Sequence, residues 1–388
     1  MTGWWNRAFG RAPERKDAAT RTLIALQAAG RPAWGPRSYA QFAVEGYAKN
    51  PVAFRCIRLI AEAAASIRFT ASRQNRPAAQ EDPVVGLLAH PNPEQSATEL
   101  FEAFYGYLQV AGNTYLEAAE VDGAPKAMFA LRPDRMTVVP GDRGWPVGWE
   151  YAVGRRKTRY HRDAVSGRSP ILHMKVFNPG DDLYGVSPME AAAFAIDTHT
   201  AGGAWNKALL DNAARPSGAL VYAGQERLTE EQFERLKAEL AENHQGPRSA
   251  GRPLLLEGGL DWKPFGLSPA DMDFVEAKHV AAREIALAFG VPPMLLGVPG
   301  DNTYSNYKEA NLAFWRQTVM PLARKTARAL GGWLRPWFGF DLQIHCEEAE
   351  IPALAEERST LWASLEAASF LSAEEKRALA GVAGEGEP

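Results

Sequence analysis

The alternation of apolar and polar positions predicts helices at both ends of the chain and strands in its middle. Asn50-Pro51 opens "NPVAFRCIRLIAEAAASI", where Val52, Cys56, Leu59, Ile60, Ala63 and Ile67 form one apolar stripe at helical spacing. Four more segments start with a hydroxyl that can cap exposed helical amides and an acid or amide three residues on that can return the bond. They are Ser96 with Glu99, Ser187-Pro188 with Glu190, Thr229 with Gln232, and Ser268-Pro269 with Asp271. In two of them proline takes the first helical position, where its missing N–H is harmless. Between Gly112 and Val176 the pattern shortens to "NTYLEAAEV", "KAMFALRP", "MTVVPGD", "GWEYAVG", "KTRYHRD" and "PILHMKV". These predict strands of one mostly antiparallel sheet. Later strands are expected in 217–224, 252–266 and 340–346.

The order of these pieces predicts an α+β fold. A long helix over 188–213, roughly 39 Å at 1.5 Å per residue, leads into strand, helix, strand, strand, and a second long helix over 269–290 leaves. A compact β-α-β-β unit is thus inserted between two long helices, as a knob on a two-helix stalk. Boundaries fall near 40, 187, 214, 268, 291 and 334.

The stretch "FGVPPMLLGVPGDNTYSNYKEANLAFWRQ" then stops one helix and starts another. Pro292-Pro293 ends the first, because neither ring donates an N–H and each restricts the residue before it. The loop has few large apolar anchors and carries no Lys or Arg from Val291 to Tyr307. On its residues alone it reads first as a solvent-exposed connection, and second as a contact that touches a partner without gripping it. Pro321, inside the following helix, predicts a kink or a junction of two helices.

Charge changes the picture at the ends only. The whole chain of 388 residues has a formal net charge of −3, which gives no general attraction to nucleic acid. Residues 1–38 hold seven Lys/Arg against two Asp/Glu, and residues 347–388 hold three against ten. A flexible basic arm and a solvated acidic run, including Glu347, Glu348 and Glu350, are expected. The two cysteines, Cys56 and Cys346, give no disulfide framework or zinc spacing, and a reducing compartment is expected. No apolar run approaches the ~18 residues of a membrane span, and the N-terminus lacks the apolar stretch of a signal peptide.

Catalytic motifs are scarce. The sequence has no phosphate-binding Gly-x-x-x-x-Gly-Lys, no Gly-x-Gly-x-x-Gly, no Gly-x-Ser-x-Gly and no His-Glu-x-x-His. "HRDAVSGR" at 161–168 echoes a kinase catalytic loop but lacks its downstream Asn. The seven histidines stand at no i, i+3 or i+4 spacing, so no helix-borne metal pair is expected. Asp181-Asp182 can be turn and cap residues as well as cation ligands. No cofactor, no metal and no enzymatic activity are expected.

Several motifs, in this order, resemble portal proteins of tailed bacteriophages, of the short type found in long-tailed phages with HK-type capsids. They are "NPVAFRCIRLIAEAAASI", "HPNPEQSATELFEAFYGYLQVAGNTYLEAA", "LRPDRMTVV", "ILHMKVFNPGDDLYGVSPMEAA", "ARPSGAL" and "FGVPPMLLGVPGDNTYSNYKEANLAFW". The short length and Ala- and Arg-rich composition point to a gene transfer agent or a prophage. The resemblance implies a ring, usually of twelve subunits, at one capsid vertex that conducts double-stranded DNA in packaging and ejection. It implies a basic arm (1–38), a wing (39–187 and 304–346), two stem helices (188–213 and 268–290), a clip (214–267), a tunnel loop (291–303) and an acidic crown and tail (347–388). Val298, Pro299, Gly300, Asp301, Asn302, Thr303 and Tyr304 would face the DNA tunnel. Glu230, Arg235, Arg248 and Arg252 would meet partners at the clip. Asp273, Glu276, Lys278, Arg283 and Glu284 would set register between neighbouring stems.

The partners implied are other copies of the chain, double-stranded DNA read without regard to sequence, the major capsid protein, the large terminase subunit and a head–tail adaptor, with no membrane. Two other readings stand beside this one. A metal-dependent nuclease or hydrolase with a dispersed carboxylate site would show turnover in the purified protein. A monomeric binding module would show a single-copy mass.

Overall fold

A computed structural model describes residues 39–74, 76–142, 144–211, 218–222, 229, 231, 234–235, 260–264, 274–299 and 304–380. All fall within one compact unit, Ser38–Pro388. The expected basic arm, most of the helix opened by Thr229, the start of the helix opened by Ser268 and the strand segment 252–259 lie outside the described residues; of the Thr229 helix, Glu231, Glu234 and Arg235 are described and are helical.

The first described element is a short helix, Tyr39–Gln41, continued by a π-wound turn, Phe42–Ala48. Asn50 then caps the helix Pro51–Ala65, its side chain accepting from the Val52 and Ala53 amides. The buried face of this helix is Ala53, Cys56, Ile57, Ile60, Ala61 and Ala64. It is rotated from the predicted stripe, since Val52, Leu59 and Ala63 are only half-buried. Small alanines allow close approach on that side, and the larger aliphatics at its edge lie over the margin. Strands β1 (Phe69–Arg73) and β2 (Arg76–Pro77) and the helix Pro83–Ala89, capped by Asp82, follow. None of the three was predicted.

The helix Ala97–Ala111 carries the full reciprocal cap. The Glu99 amide donates to the Ser96 hydroxyl, and the Ser96 amide donates to the Glu99 carboxylate. It ends on Gly112 in the left-handed region at φ +67°, which suits glycine because it has no Cβ. Here there is also no room, since a Cβ would stand 2.5 Å from the Val186 carbonyl carbon. The helix buries Leu100, Phe101, Phe104, Tyr105 and Leu108 against the Pro51–Ala65 helix, building the main core.

All six middle strands form, as β3 (Asn113–Val121), β4 (Ala124–Leu131), β5 (Met136–Pro140), β6 (Pro146–Val153), β7 (Arg156–His161) and β8 (Ile171–Lys175). They make two three-stranded antiparallel sheets and not the single sheet expected, in the orders β4-β3-β8 and β5-β6-β7. A second, smaller core of Tyr115, Leu131, Met136, Val138, Trp149 and Ile171 lies between them. A third sheet joins β1 and β2 to β11 (Leu342–Cys346), with Phe69 opposite Cys346. The β1 pairing spans most of the chain, which is why local periodicity did not show it.

The predicted helix 188–213 is broken. Pro188–Ala191 is one short turn capped by Ser187, Ala192 is a non-helical turn, and Ala193–Asp211 follows. The break lets Met189, Ala192, Ala195 and Ile196 all enter the core. Ser187 also donates to the carbonyls of Gln109 and Val110 at 2.9 and 2.8 Å, while Glu190 is exposed. The segment around Pro321 differs as well. Tyr304–Phe314 is α-helical, Trp315–Val319 is π-wound, and Met320–Phe338 is α-helical again. The π turn places Pro321 in the first turn of the second helix, where an absent amide is tolerated. The last described segment is helical over Ala355–Ala367 and Ala373–Leu379. The acidic run is not merely solvated, because Glu348 pairs with Arg324 through two hydrogen bonds of 2.9 Å and Glu350 pairs with Arg68.

Candidate functional site

The loop after Phe289 is where the expected function is most specific, and its first half is pinned. The helix Phe274–Phe289 ends at Gly290, at φ +66°. The Val291 amide donates to Ala286 O at 2.9 Å, and the Thr318 hydroxyl, on the π-wound turn, donates to Gly290 O at 2.5 Å. Pro293–Leu296 form a 3-10 turn that closes on Gly297 at φ +71°. Val291 and Val298 are buried at 2% and 8% exposure. Few apolar anchors were expected in "GVPGDNTYSN"; Val298 is one, and with Val291 it seats 291–298 on the main body.

Pro299 is exposed, and its carbonyl accepts from Arg283 Nη2 at 2.7 Å. The sequence window without a cation is thus approached by one from the preceding helix. Gly300, Asp301, Asn302 and Thr303 lie outside the described residues, and Tyr304 begins the next helix.

The candidate stem charges divide into groups. Asp273 lies outside the described residues. Glu276 is 3.6 Å from Arg283 and 3.9 Å from His279, all on one helix. Lys278 is half-buried and turns towards Gly203 on the Ala193–Asp211 helix, while Glu284 is exposed. Glu276 and Arg283 therefore have partners within the chain, and Lys278 faces the other helix of the pair. The feature that the sequence reading missed is apolar. Val275, Val280 and Leu287, with Phe194 and Trp205 on the companion helix, are exposed large hydrophobic side chains. The signal was present as apolar residues outside the packed stripe of each helix.

In the segment expected to be the clip, β9 (Gly218–Tyr222) and β10 (Leu260–Pro264) pair antiparallel, with Leu220 opposite Trp262. Arg235 is exposed and stands 3.9 Å from Glu231. Glu230, Arg248 and Arg252 lie outside the described residues.

The motifs weighed for catalysis have local roles. The Asp163 carboxylate accepts from the Val165 amide and the Ser166 hydroxyl, which holds it below its usual range. Asp181 accepts from the amides of Leu183 and Tyr184 at 2.7 and 3.0 Å, so it is a turn residue. Among the described residues no group of three His, Cys, Asp or Glu is placed to hold a metal ion. No helix among them is long and apolar enough to cross a membrane.

A 420 Å³ cleft opens between the Phe42–Ala48 turn and the helices Pro51–Ala65 and Ala97–Ala111, rimmed by Tyr39, Tyr47, Tyr107 and Glu102. Burial raises the Tyr39 phenol to about 12 and raises Tyr107 as well.

Comparison with known proteins agrees with this architecture. In the solved neck of an empty gene transfer agent particle, computed with C6 symmetry, one chain is 53% identical with a TM-score of 0.72, over 91% of this chain and 96% of that one. In the neck of the native particle, computed with C12 symmetry, the match is 52% identical with a TM-score of 0.69, over 91% and 96%. The portal protein of Enterobacteria phage HK97 is 27% identical over 73% of this chain and 66% of its own length. The family model for phage portal proteins matches residues 51–381, and on that span this chain belongs to the phage portal protein family.

Proposed function

We propose that this chain is the portal subunit of a gene transfer agent-like particle. Twelve copies close head to tail into a ring at the neck and conduct double-stranded DNA during packaging and release. The observation that carries this reading is 53% identity across 91% of the chain to a neck chain, together with the twelvefold symmetry of the related neck. A heterologous interface suits ring closure, since one face of each subunit must fit the opposite face of the next.

Within that ring, residues 39–187 and 304–346 act as the wing, 188–213 and 268–290 as the stem, 214–267 as the clip, 291–303 as the tunnel loop and 347–388 as the crown and tail. The loop segment 298–304 faces the DNA. It brings one acid and neutral polar groups to the duplex, where each added cation would add affinity by releasing counterions, multiplied around the ring. Arg283 bound to the Pro299 carbonyl leaves that cation engaged at the root of the loop. The exposed apolar side chains of the stem, Val275, Val280, Leu287, Phe194 and Trp205, add to the inter-stem contact that Glu276, Lys278, Arg283, Glu284 and Asp273 register. The clip, through Glu230, Arg235, Arg248 and Arg252, meets first the large terminase subunit and then the head–tail adaptor. The wing meets the major capsid protein. The subunit hydrolyses nothing itself, and ATP turnover belongs to the packaging motor.

Electron microscopy of particles carrying an epitope on this chain tests the reading. The epitope is expected at the neck with twelve copies per particle. Label distributed over the shell, or DNA-filled particles from a strain lacking the chain, would refute it.

A further inference from the structure

The Ala193–Asp211 helix is tied to the N-terminus of the Pro51–Ala65 helix by three side chains. Asn50 is 1% exposed. Its Oδ1 accepts from the amides of Val52 and Ala53 at 3.1 and 3.0 Å. This fixes which way the side-chain amide points, because a flip would set its NH2 against two N–H donors. Nδ2 therefore faces the Ile196 carbonyl at 3.4 Å, His199 Nδ1 at 3.3 Å and Thr200 Oγ1 at 3.3 Å. For Asn50 to donate to it, Nδ1 of His199 must present a lone pair. The buried imidazole is then neutral, with its proton on Nε2.

We propose that Asn50, His199 and Thr200 form a proton-sensitive joint, which holds the Ala193–Asp211 helix to the body while His199 is neutral and releases it when the ring takes up a proton. A proton from solvent binds Nδ1, and the neutral ring becomes a cation with two N–H donors. Donor then faces donor. Asn50 cannot turn its carbonyl to the new N–H without giving up the cap of the Pro51–Ala65 helix.

The groups facing the ring oppose its charge. Asn50, from the start of the neighbouring helix, and Thr200, from its own helix, are neutral. Lys278 of the Phe274–Phe289 helix is the charged group that acts on it. Burial first and Lys278 second hold the imidazole below its ordinary range. The joint is accordingly closed through neutral pH, and its contribution is lost as pH falls below the ordinary histidine value of about 6.5. What this means for a ring rests on the stem assignment above. The chemistry of the joint does not, since the isolated chain reports it whatever it assembles into.

Hydrogen–deuterium exchange on the full chain between pH 8 and 5, corrected for intrinsic rates, reads the joint directly. Protection of the amides in 193–204 is expected to fall about tenfold per pH unit below its onset, beyond any change in the helix Ala97–Ala111. H199Q keeps an acceptor but does not titrate, so its 193–204 protection is expected to be flat over the same range. K278M removes the opposing charge, so the closed ring takes up its proton at a higher pH; the onset is expected to stay near the ordinary histidine value of about 6.5, and the loss of protection down to pH 5 to be smaller than in wild type. Acid loss of wild-type size in H199Q, or wild-type protection unchanged down to pH 5, overturns the proposal. If H199Q fails to fold, K278M decides, and an acid loss as large as in wild type overturns it.

Discussion

Two helices of similar length have opposite relations to the rest of the molecule. Ala97–Ala111 is capped at both ends and buries seven side chains, including Phe104 and Tyr105 with no exposed surface. Ala355–Ala367 buries none. It is joined to the Tyr304–Phe314 helix by the ion pair Lys308–Glu356 and to the π-wound turn Trp315–Val319 by Arg316–Glu357, all four side chains more than a third exposed. Leu361, Trp362, Phe370 and Leu379 of the C-terminal helical pair remain exposed. The first helix is stabilised by its own chain. A short helix that buries nothing is marginal by itself, and the second is held to its own chain by exposed ion pairs in place of a buried face.

The comparison is broken most directly by truncating one aromatic in each region. F104A is expected to lower the stability of the isolated chain by about 3–5 kcal/mol, from lost transfer energy and the cavity left behind, read by denaturant melts. W362A is expected to leave that melt unchanged while lowering the yield of assembled rings. Equal losses in the two melts would erase the distinction.

Close backbone packing gives the next largest effect. A Cβ at Gly185 would stand 2.2 Å from the Gly112 carbonyl oxygen and 2.6 Å from that of Val176. G185A is expected to lose about 1–3 kcal/mol by overpacking, visible as a lower melting temperature. Gly332, on an open helix face with no neighbour for a Cβ, is the control, and G332A is expected to be neutral or slightly stabilising through helix propensity.

Acid should separate the regions as well. His173 stacks on Tyr115 at a 4.3 Å ring separation, and its Nε2 meets Asn113 Oδ1 at 3.0 Å. Burial, with a smaller contribution from Lys175, pushes it down to about 3. A base depressed on folding adds stability that is complete above its unfolded value, about 6.5, and is lost as pH falls from there towards 3. The body is therefore expected to be about 2 kcal/mol less stable at pH 5 than at pH 7, and H173Q is expected to flatten that slope. A wild-type slope retained in H173Q would place the titrating group elsewhere.

The smallest effect tests the C-terminal contact. K308A and R316A are each expected to change stability by about 0–1 kcal/mol, and less at high salt, as exposed ion pairs do. Exchange in 355–367 should rise with salt while that in 97–111 does not.

Much of this was readable in one dimension because its causes are local. The Ser96–Glu99 box, the Asn50 cap and the span Asn113–Val121 each depend on residues within a few positions of one another. Asp181 as a turn residue follows the same rule. The family was legible because many short motifs fell in one order, although each is tolerant by itself.

The sequence by itself therefore determined the locally capped helices, the six middle strands, their order and the family. Tertiary structure decided what lies far apart in the chain: β1 against β11, the split of six strands into two sheets, the break at Ala192, and Glu348 on Arg324. It also decided that Val291 and Val298 anchor a loop that reads as free, and that Arg283 reaches a segment with no cation of its own. The physical reason is the same in each case. Caps and turns are settled by hydrogen bonds within one helical turn, whereas burial, sheet pairing and charge proximity depend on which distant surfaces the core brings together.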